Sequence, residues 1–200
     1  VIGLVGNSGI SSGPHLHFEL RDKDQNPLNP FNFGLYIEDD IPPFISSIAL
    51  IPLNRDSYIN GLPKEQVFIP KKINDNEYIL EDTIAIQGSF GLAVKTSDFI
   101  TKQEFSFGIY SVNLHMDNNF IYSMQYDKIK WEDAKSLYTE KGYSLARKGL
   151  GKFYHLFSHH NNQSLTFINS KSKSNLTISK PDIQNAIITV SDYAENQVHI

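Results

Sequence analysis

The sequence predicts an all-β protein built largely on an antiparallel β-sandwich, and three observations predict it. From Phe44 onward the chain is rich in Ile, Phe, Tyr, Val and Thr and poor in Ala, a bias toward residues that fit a pleated, half-buried surface. Several segments alternate apolar and polar residues, the period of a strand with one buried face. Turn signals built on Asn, Asp and Gly separate these segments, as hairpins require.

Taken in order, residues 1–36 are dense in Gly, Ser, Pro and Asn, with short apolar runs at residues 1–5 and 15–20. If residues 15–20 are a strand, His15, His17 and Glu19 share one face, and Leu16, Phe18 and Leu20 share the other. The apolar trio is expected to anchor the strand on a core. Residues 37–43 end in Asp40-Ile41-Pro42-Pro43 and read as a linker, because proline lacks a backbone donor and pushes its predecessor to extended geometry.

The sandwich is expected over residues 44–200. Residues 84–94 read as a strand interrupted by Gly88 and Gly91 at a bulge. In residues 110–116, Tyr110, Val112, Leu114 and Met116 fall on one face. Asp117-Asn118-Asn119 then turns the chain into a partner strand over residues 120–126. Residues 186–191 form another strand, turned by residues 192–196 and returned by residues 197–200. The region is long for one Ig-like sandwich of roughly 100 residues. Residues 131–163 are therefore expected to be a partly helical insertion, with short helical turns at 132–138 and 152–157. Two small domains are the alternative. Residues 169–175 read as a polar loop.

Composition narrows the function. Lys and Arg number 18 against 22 Asp and Glu, so the net charge of −4 argues against a general nucleic-acid binder, which needs a basic face. The absence of Cys removes disulfides and thiolate metal sites, so a metal must be held by His, Asp or Glu. No apolar run is long enough to span a membrane. No Lys-Ser/Thr P-loop, Gly-x-Gly dinucleotide turn or Gly-x-Ser-x-Gly elbow occurs.

The stretch that carries chemistry is Gly6-Asn7-Ser8-Gly9 followed by Ser12-Gly13-Pro14-His15-Leu16-His17-Phe18-Glu19. Alternate residues on a strand lie about 7 Å apart, so one imidazole can bind a metal while the other reaches a metal-bound water. On spacing alone such a pair is more often two solvated imidazoles. Other histidines and acids read more blandly. His155, His159 and His160 belong to a polar loop, and His115 is solvated on the polar face of its strand. Asp98, Asp117 and Asp192 are turn residues first and calcium ligands a distant second. Phe105, Phe107, Tyr110, Phe120, Tyr122 and Tyr126 are core rather than a sugar platform. Asn162 and Asn175 match the glycosylation sequon, a motif common by chance.

The Gly6–Glu19 stretch resembles the C-terminal signature of the lysostaphin-type (LytM-like) zinc metallopeptidases, and Asn29-Pro30 is similar to that family's closing Asn-Pro. The resemblance covers about the first 34 residues. It implies the last strands of a duplicated-hybrid-motif peptidase domain in residues 1–36 and hydrolysis of peptide bonds in peptidoglycan cross-links. It further implies zinc as cofactor, His17 as metal ligand and His15 as catalytic imidazole. Glu19 follows the pattern without an assigned role. The remaining ligands are a His-x-x-x-Asp pair upstream in that family, and no such pair occurs between residues 1 and 200. The chain begins at Val1 inside strand-like residues, without a signal peptide, so it reads as a piece of a longer envelope protein, periplasmic or extracellular. The expectation is an active parent enzyme, an inactive fragment, and residues 14–20 less protected from hydrogen exchange than residues 110–126.

The implied partners are peptidoglycan peptides, with other envelope proteins reached through the sandwich. The sandwich's opening at residues 40–45 and its last hairpin at residues 192–196 resemble, more weakly, bacterial Ig-like envelope domains. The competing reading is a non-catalytic peptidase-like protein that binds cell wall or regulates another hydrolase. Retention of both His15 and His17 argues against it.

Overall fold

The computed structural model describes residues 4–7, 12–102, 105–134, 136–137, 142–158, 165, 167–170, 176–178 and 183–200. Its elements begin with a small hairpin of β1 (Leu20–Arg21) and β2 (Pro27–Leu28), followed by a 3-10 turn at Pro30–Phe33. The strands β3 (Phe44–Pro52), β4 (Tyr58–Ile59), β5 (Gln66–Phe68), β6 (Lys71–Asn74), β7 (Glu77–Ile79) and β8 (Ile86–Phe99) follow. Then come β9 (Ser106–Phe107), β10 (Ser111–Met116) and β11 (Asn119–Gln125), a second 3-10 turn at Trp131–Asp133, and the helix α1 (Tyr143–Arg147). The chain closes with β12 (Tyr154–His155), β13 (Ile168–Ser170), β14 (Leu176–Ile178), β15 (Ala186–Ser191) and β16 (Gln197–His199). The described protein is all-β, as the residue bias predicts.

Two sheets make the body. One runs β13-β11-β10-β15-β16-β7-β6, and the other β12-β8-β3-β5, with β4, β9 and β14 also paired to β8. Pairing is antiparallel except where His199 of β16 meets Glu77 of β7 in parallel. A single apolar cluster fills the space between the sheets: Ile45, Ile48 and Leu50 of β3 and Phe90, Leu92 and Val94 of β8 meet Val112, Leu114, Met124, Ile188 and Val190. Among the described residues, both sheets share this cluster. Each fully buried side chain of this size contributes about 1.5–3 kcal/mol.

The β10–β11 hairpin follows its sequence closely. Met116 faces Asn119, so the loop is Asp117-Asn118, and both carry positive φ, the geometry that twists with the flanking strands. Val112, Leu114, Met116 and Tyr122 are buried, Tyr110, Phe120 and Tyr126 are half-buried, and Phe105 and Phe107 are exposed, so the last two are not core as expected. Phe107 lies on the short β9, which pairs with the end of β8.

The insertion is partly helical but differs in detail. Residues 154–155, within the expected helical turn at 152–157, are extended as β12 and pair with Val94 and Ala93 at the edge of β8. Edge pairing satisfies backbone groups that a one-turn helix would leave open. The insertion packs Leu145 and Phe153 against Ala49 and Ala93 on the outer face of β3 and β8. That covered face explains the glycine-interrupted pattern of β8. Phe90, Leu92 and Val94 point inward, while the outward Gly91 makes room for the ring of Phe157. Gly91 is therefore a close approach and not a bulge; the register shift lies in β3, between Ile45 and Ser47. Residues 169–170, expected in a polar loop, belong to β13 and pair with β11. The rest of that loop, His159, His160, Asn162 and Asn175 lie outside the described residues.

Candidate functional site

Residues 15–20 are less regular than a strand. His15 forms an isolated antiparallel bridge with Gly6, and only Leu20 enters β1, where it faces Leu28. Leu16 and Phe18 are exposed among the described residues, not anchored on a core as expected. His15 and His17 are also exposed.

Each imidazole has a defined polar contact. His15 Nδ1 lies 2.9 Å from the carbonyl of Gly13. A carbonyl only accepts, so the neutral ring in this bond carries its proton on Nδ1 and its lone pair on Nε2. His17 Nε2 lies 2.5 Å from Glu19 Oε1. The carboxylate makes Nε2 the donor and leaves the lone pair on Nδ1, the opposite tautomer. Arg21 donates from Nε to Glu19 Oε2 at 2.6 Å, with a terminal guanidinium nitrogen 2.6 Å from the same oxygen. Arg21 first, and His17 second, hold the Glu19 carboxyl below its usual range.

The hairpin beyond this segment is held by the sandwich. Asp22 accepts from the backbone and side-chain nitrogens of Asn26, which closes the β1–β2 turn. Asp22 also pairs with Lys128, and this pair, ahead of the Asn26 bonds, holds its carboxyl well below the usual range. Asn29 N donates to the carbonyl of Asp127 at 2.8 Å, and Ile129 N to that of Pro27 at 3.2 Å, so residues 127–129 run beside β2. Trp131 donates from its backbone to Asn26 Oδ1 at 3.2 Å and from its indole to the carbonyl of Gln25 at 2.7 Å. The Arg21 guanidinium carbon lies 5.6 Å over the Trp131 ring. At such exposed sites this contact contributes about 0.5–1 kcal/mol.

The Asn29-Pro30 pair has a structural role here. Asn29 Oδ1 caps the 3-10 turn by accepting from Phe31 N at 3.1 Å, and Pro30 occupies the first helical position. Asn29 Nδ2 donates to the carbonyl of Tyr126. Phe31 stacks on Tyr193 at 4.7 Å, and Asn32 donates to Asp127, which also accepts from the Tyr110 hydroxyl at 2.6 Å. Burial and Asp127 push the Tyr110 phenol up.

The sandwich contains one group that residue spacing does not show. Oxygens of Asp39, Asp98 and Asp192 all lie within 4.8 Å of one another. Asp192 is the expected turn residue, accepting from Asn196. Asp98 is not a turn residue: it lies in β8, is 5% exposed, and accepts from the amide of Phe99. Burial, then the neighbouring Asp192 and Asp39, push its carboxyl up to about 7. His155, expected in a polar loop, is buried and stacks on Phe157 at 4.8 Å. His115 is half-buried with its ring edge-on to Phe120.

Among the described residues, no group of three or more candidate metal ligands includes His15, His17 or Glu19. The described residues thus fit one part of a zinc site, an exposed imidazole oriented by a carboxylate, and not a full ligand set. Residue spacing alone missed the seating of the hairpin on residues 126–131. One signal was available: Asp22-x-x-x-Asn26 and Asp192-x-x-x-Asn196 are the same turn. In each, Asp accepts from Asn, and the residue before Asn, Gln25 or Glu195, has positive φ.

Comparison with known proteins finds short matches. DD-carboxypeptidase/endopeptidase Mpg from Neisseria meningitidis serogroup B and from Neisseria gonorrhoeae are each 54% identical over 35 residues, 18% of this chain and 8% of the relative. The match therefore spans less than a tenth of those proteins' length. No family model and no solved structure matches the chain. No helix among the described residues is long and apolar enough to cross a membrane.

Proposed function

We propose that this chain carries the His-x-His segment of a cell-envelope zinc endopeptidase that hydrolyses peptide bonds in peptidoglycan cross-links, joined to a β-sandwich. What supports this reading is the exposed pair His15 and His17, each with a defined polar contact, together with the short match to a DD-carboxypeptidase/endopeptidase. The 35-residue match has the length of the segment that bears the signature.

His17 would hold the metal through Nδ1, since Nε2 is engaged by Glu19. His15 would hold or release a proton at Nε2, since Nδ1 is engaged by Gly13. Bound zinc supplies acidification of a water and polarisation of a peptide carbonyl. Gly6 and Gly13, before His15, have open space where a side chain would stand, which would let a substrate backbone approach. The 200-residue chain presents one of the ligands and is not a competent peptidase alone.

The test is zinc content and peptidoglycan hydrolysis in the longer protein that supplies the other ligands. His17→Ala is expected to abolish both, and His15→Ala to abolish hydrolysis while zinc stays bound. Unchanged zinc content and turnover in His17→Ala would end the reading.

A further inference from the structure

We propose that Trp131, a residue of the sandwich, is a positioning residue for His17, acting through Arg21 and Glu19. The proposal rests on the reading of His17 as a metal ligand. A continuous line of contacts carries it. The indole of Trp131 lies under the Arg21 guanidinium at 5.6 Å. Arg21 holds Glu19 Oε2 at 2.6 Å, and the other oxygen of Glu19 takes His17 Nε2 at 2.5 Å.

Both ends of this line are accounted for. Trp131 is fixed through its backbone to Asn26 and through its indole to Gln25, so it does not depend on Arg21 for its place. Arg21 has its backbone in β1, opposite Pro27. His17, in contrast, has a side chain 72% exposed.

An exposed ion pair between long side chains is weak, because ordering both side chains offsets the attraction. A planar guanidinium seated on an indole is already ordered before it meets the carboxylate. The carboxylate can then do what partners of ligating histidines do, which is to fix the tautomer and the ring direction. The sandwich thereby contributes to the geometry of a metal ligand on another segment without touching the metal.

Two measurements test this. The first is the χ1 coupling pattern of His17 by NMR on the 200-residue chain. Wild type is expected to show one rotamer, and Trp131→Ala, Arg21→Gln and Glu19→Gln to show rotamer averaging. Trp131→Phe keeps a ring under the guanidinium and is expected to keep the single rotamer. Unchanged amide shifts in β10 and β11 will show that each variant is folded.

The second is zinc affinity of the longer protein by chelator competition, expected to fall about 10–100-fold in Trp131→Ala. His115→Ala, remote from the site, is the control and should bind as wild type. A single His17 rotamer in Trp131→Ala, with wild-type zinc affinity, overturns the proposal. Rotamer averaging in a protein that binds no zinc in any form upholds the line of contacts and overturns the metal-ligand reading instead.

Discussion

The indole Nε1 of Trp131 donates to the backbone carbonyl of Gln25 at 2.7 Å, tying the turn after the His-x-His segment to the sandwich. Trp131 is the only tryptophan in the chain, so this junction has a single spectroscopic reporter. Beside it run the Asn29–Asp127 and Ile129–Pro27 backbone bonds, which flank an isolated antiparallel bridge between Leu28 and Lys128.

Trp131→Ala is expected to loosen that junction by about 1–2 kcal/mol, the sum of one hydrogen bond and one cation–π contact. Hydrogen exchange at the amides of Asn29 and Ile129 should rise roughly tenfold, while the amides of β10 and β11 keep their protection. Equal acceleration across the sandwich would show that Trp131 supports the whole fold and not the junction.

Asn29→Ala removes a helix cap and a side-chain bond to the carbonyl of Tyr126. The expected cost to local stability is about 1 kcal/mol for the cap, with a further fraction for the lost bond. Limited proteolysis should then cut residues 30–36 sooner than in wild type. Asn29→Asp should retain the cap and protect these residues better than Asn29→Ala.

Asp98 makes stability depend on pH with a definite sign. Its folded carboxyl is pushed up to about 7, above the unfolded value of about 4. The folded state therefore binds the proton more tightly, and this contribution is fully present below the unfolded value. It is lost as pH rises from about 4 through about 7. Asp98→Asn should flatten the melting temperature across that window and raise it at pH 8, measured in chelator. A wild-type melting temperature that climbs steadily from pH 4 to pH 7, with no gain in Asp98→Asn, would contradict this.

Gly91 is outward-facing beneath Phe157, and a Cβ placed there falls inside the ring's contact distance. Gly91→Ala is expected to destabilise by about 1–3 kcal/mol in urea unfolding. Pairing it with Phe157→Leu should recover part of the loss relative to the sum of the single variants, because the two sites share one space. Strict additivity would show that Gly91 matters for another reason.

Metal removal should leave the 200-residue chain's melting temperature unchanged, since its core lies between the two sheets and the described residues around His17 do not complete a metal site. Thermal melts with and without a strong chelator check this. A drop of several degrees on chelation would mean that an ion contributes to the fold.

Much of the sandwich was legible because its signals are local. Alternation placed Val112, Leu114 and Met116 on the buried face, and Asp117-Asn118 fits a two-residue loop whose positive φ these residue types tolerate. The glycines of β8 misled, because a strand buried on both faces also reads as an interrupted one. Gly91 reports on Phe157, sixty-six positions later, and residue order carries no sign of that distance. Residues 152–157 misled for a similar reason: Tyr154 and His155 are extended because β8 offers them an open edge.

The sequence alone determined the strand-rich class, the place of the Asp117-Asn118 turn and the His-x-His segment with its neighbours, since these follow from side-chain period, turn chemistry and adjacency along the chain. The tertiary structure decided which distant groups meet. It placed Trp131 under Arg21, gathered Asp39, Asp98 and Asp192 within 4.8 Å, and left Leu16 and Phe18 uncovered. Such meetings depend on how sheets pack and which edges remain open, and free energies of burial and pairing settle them only once the whole chain is folded.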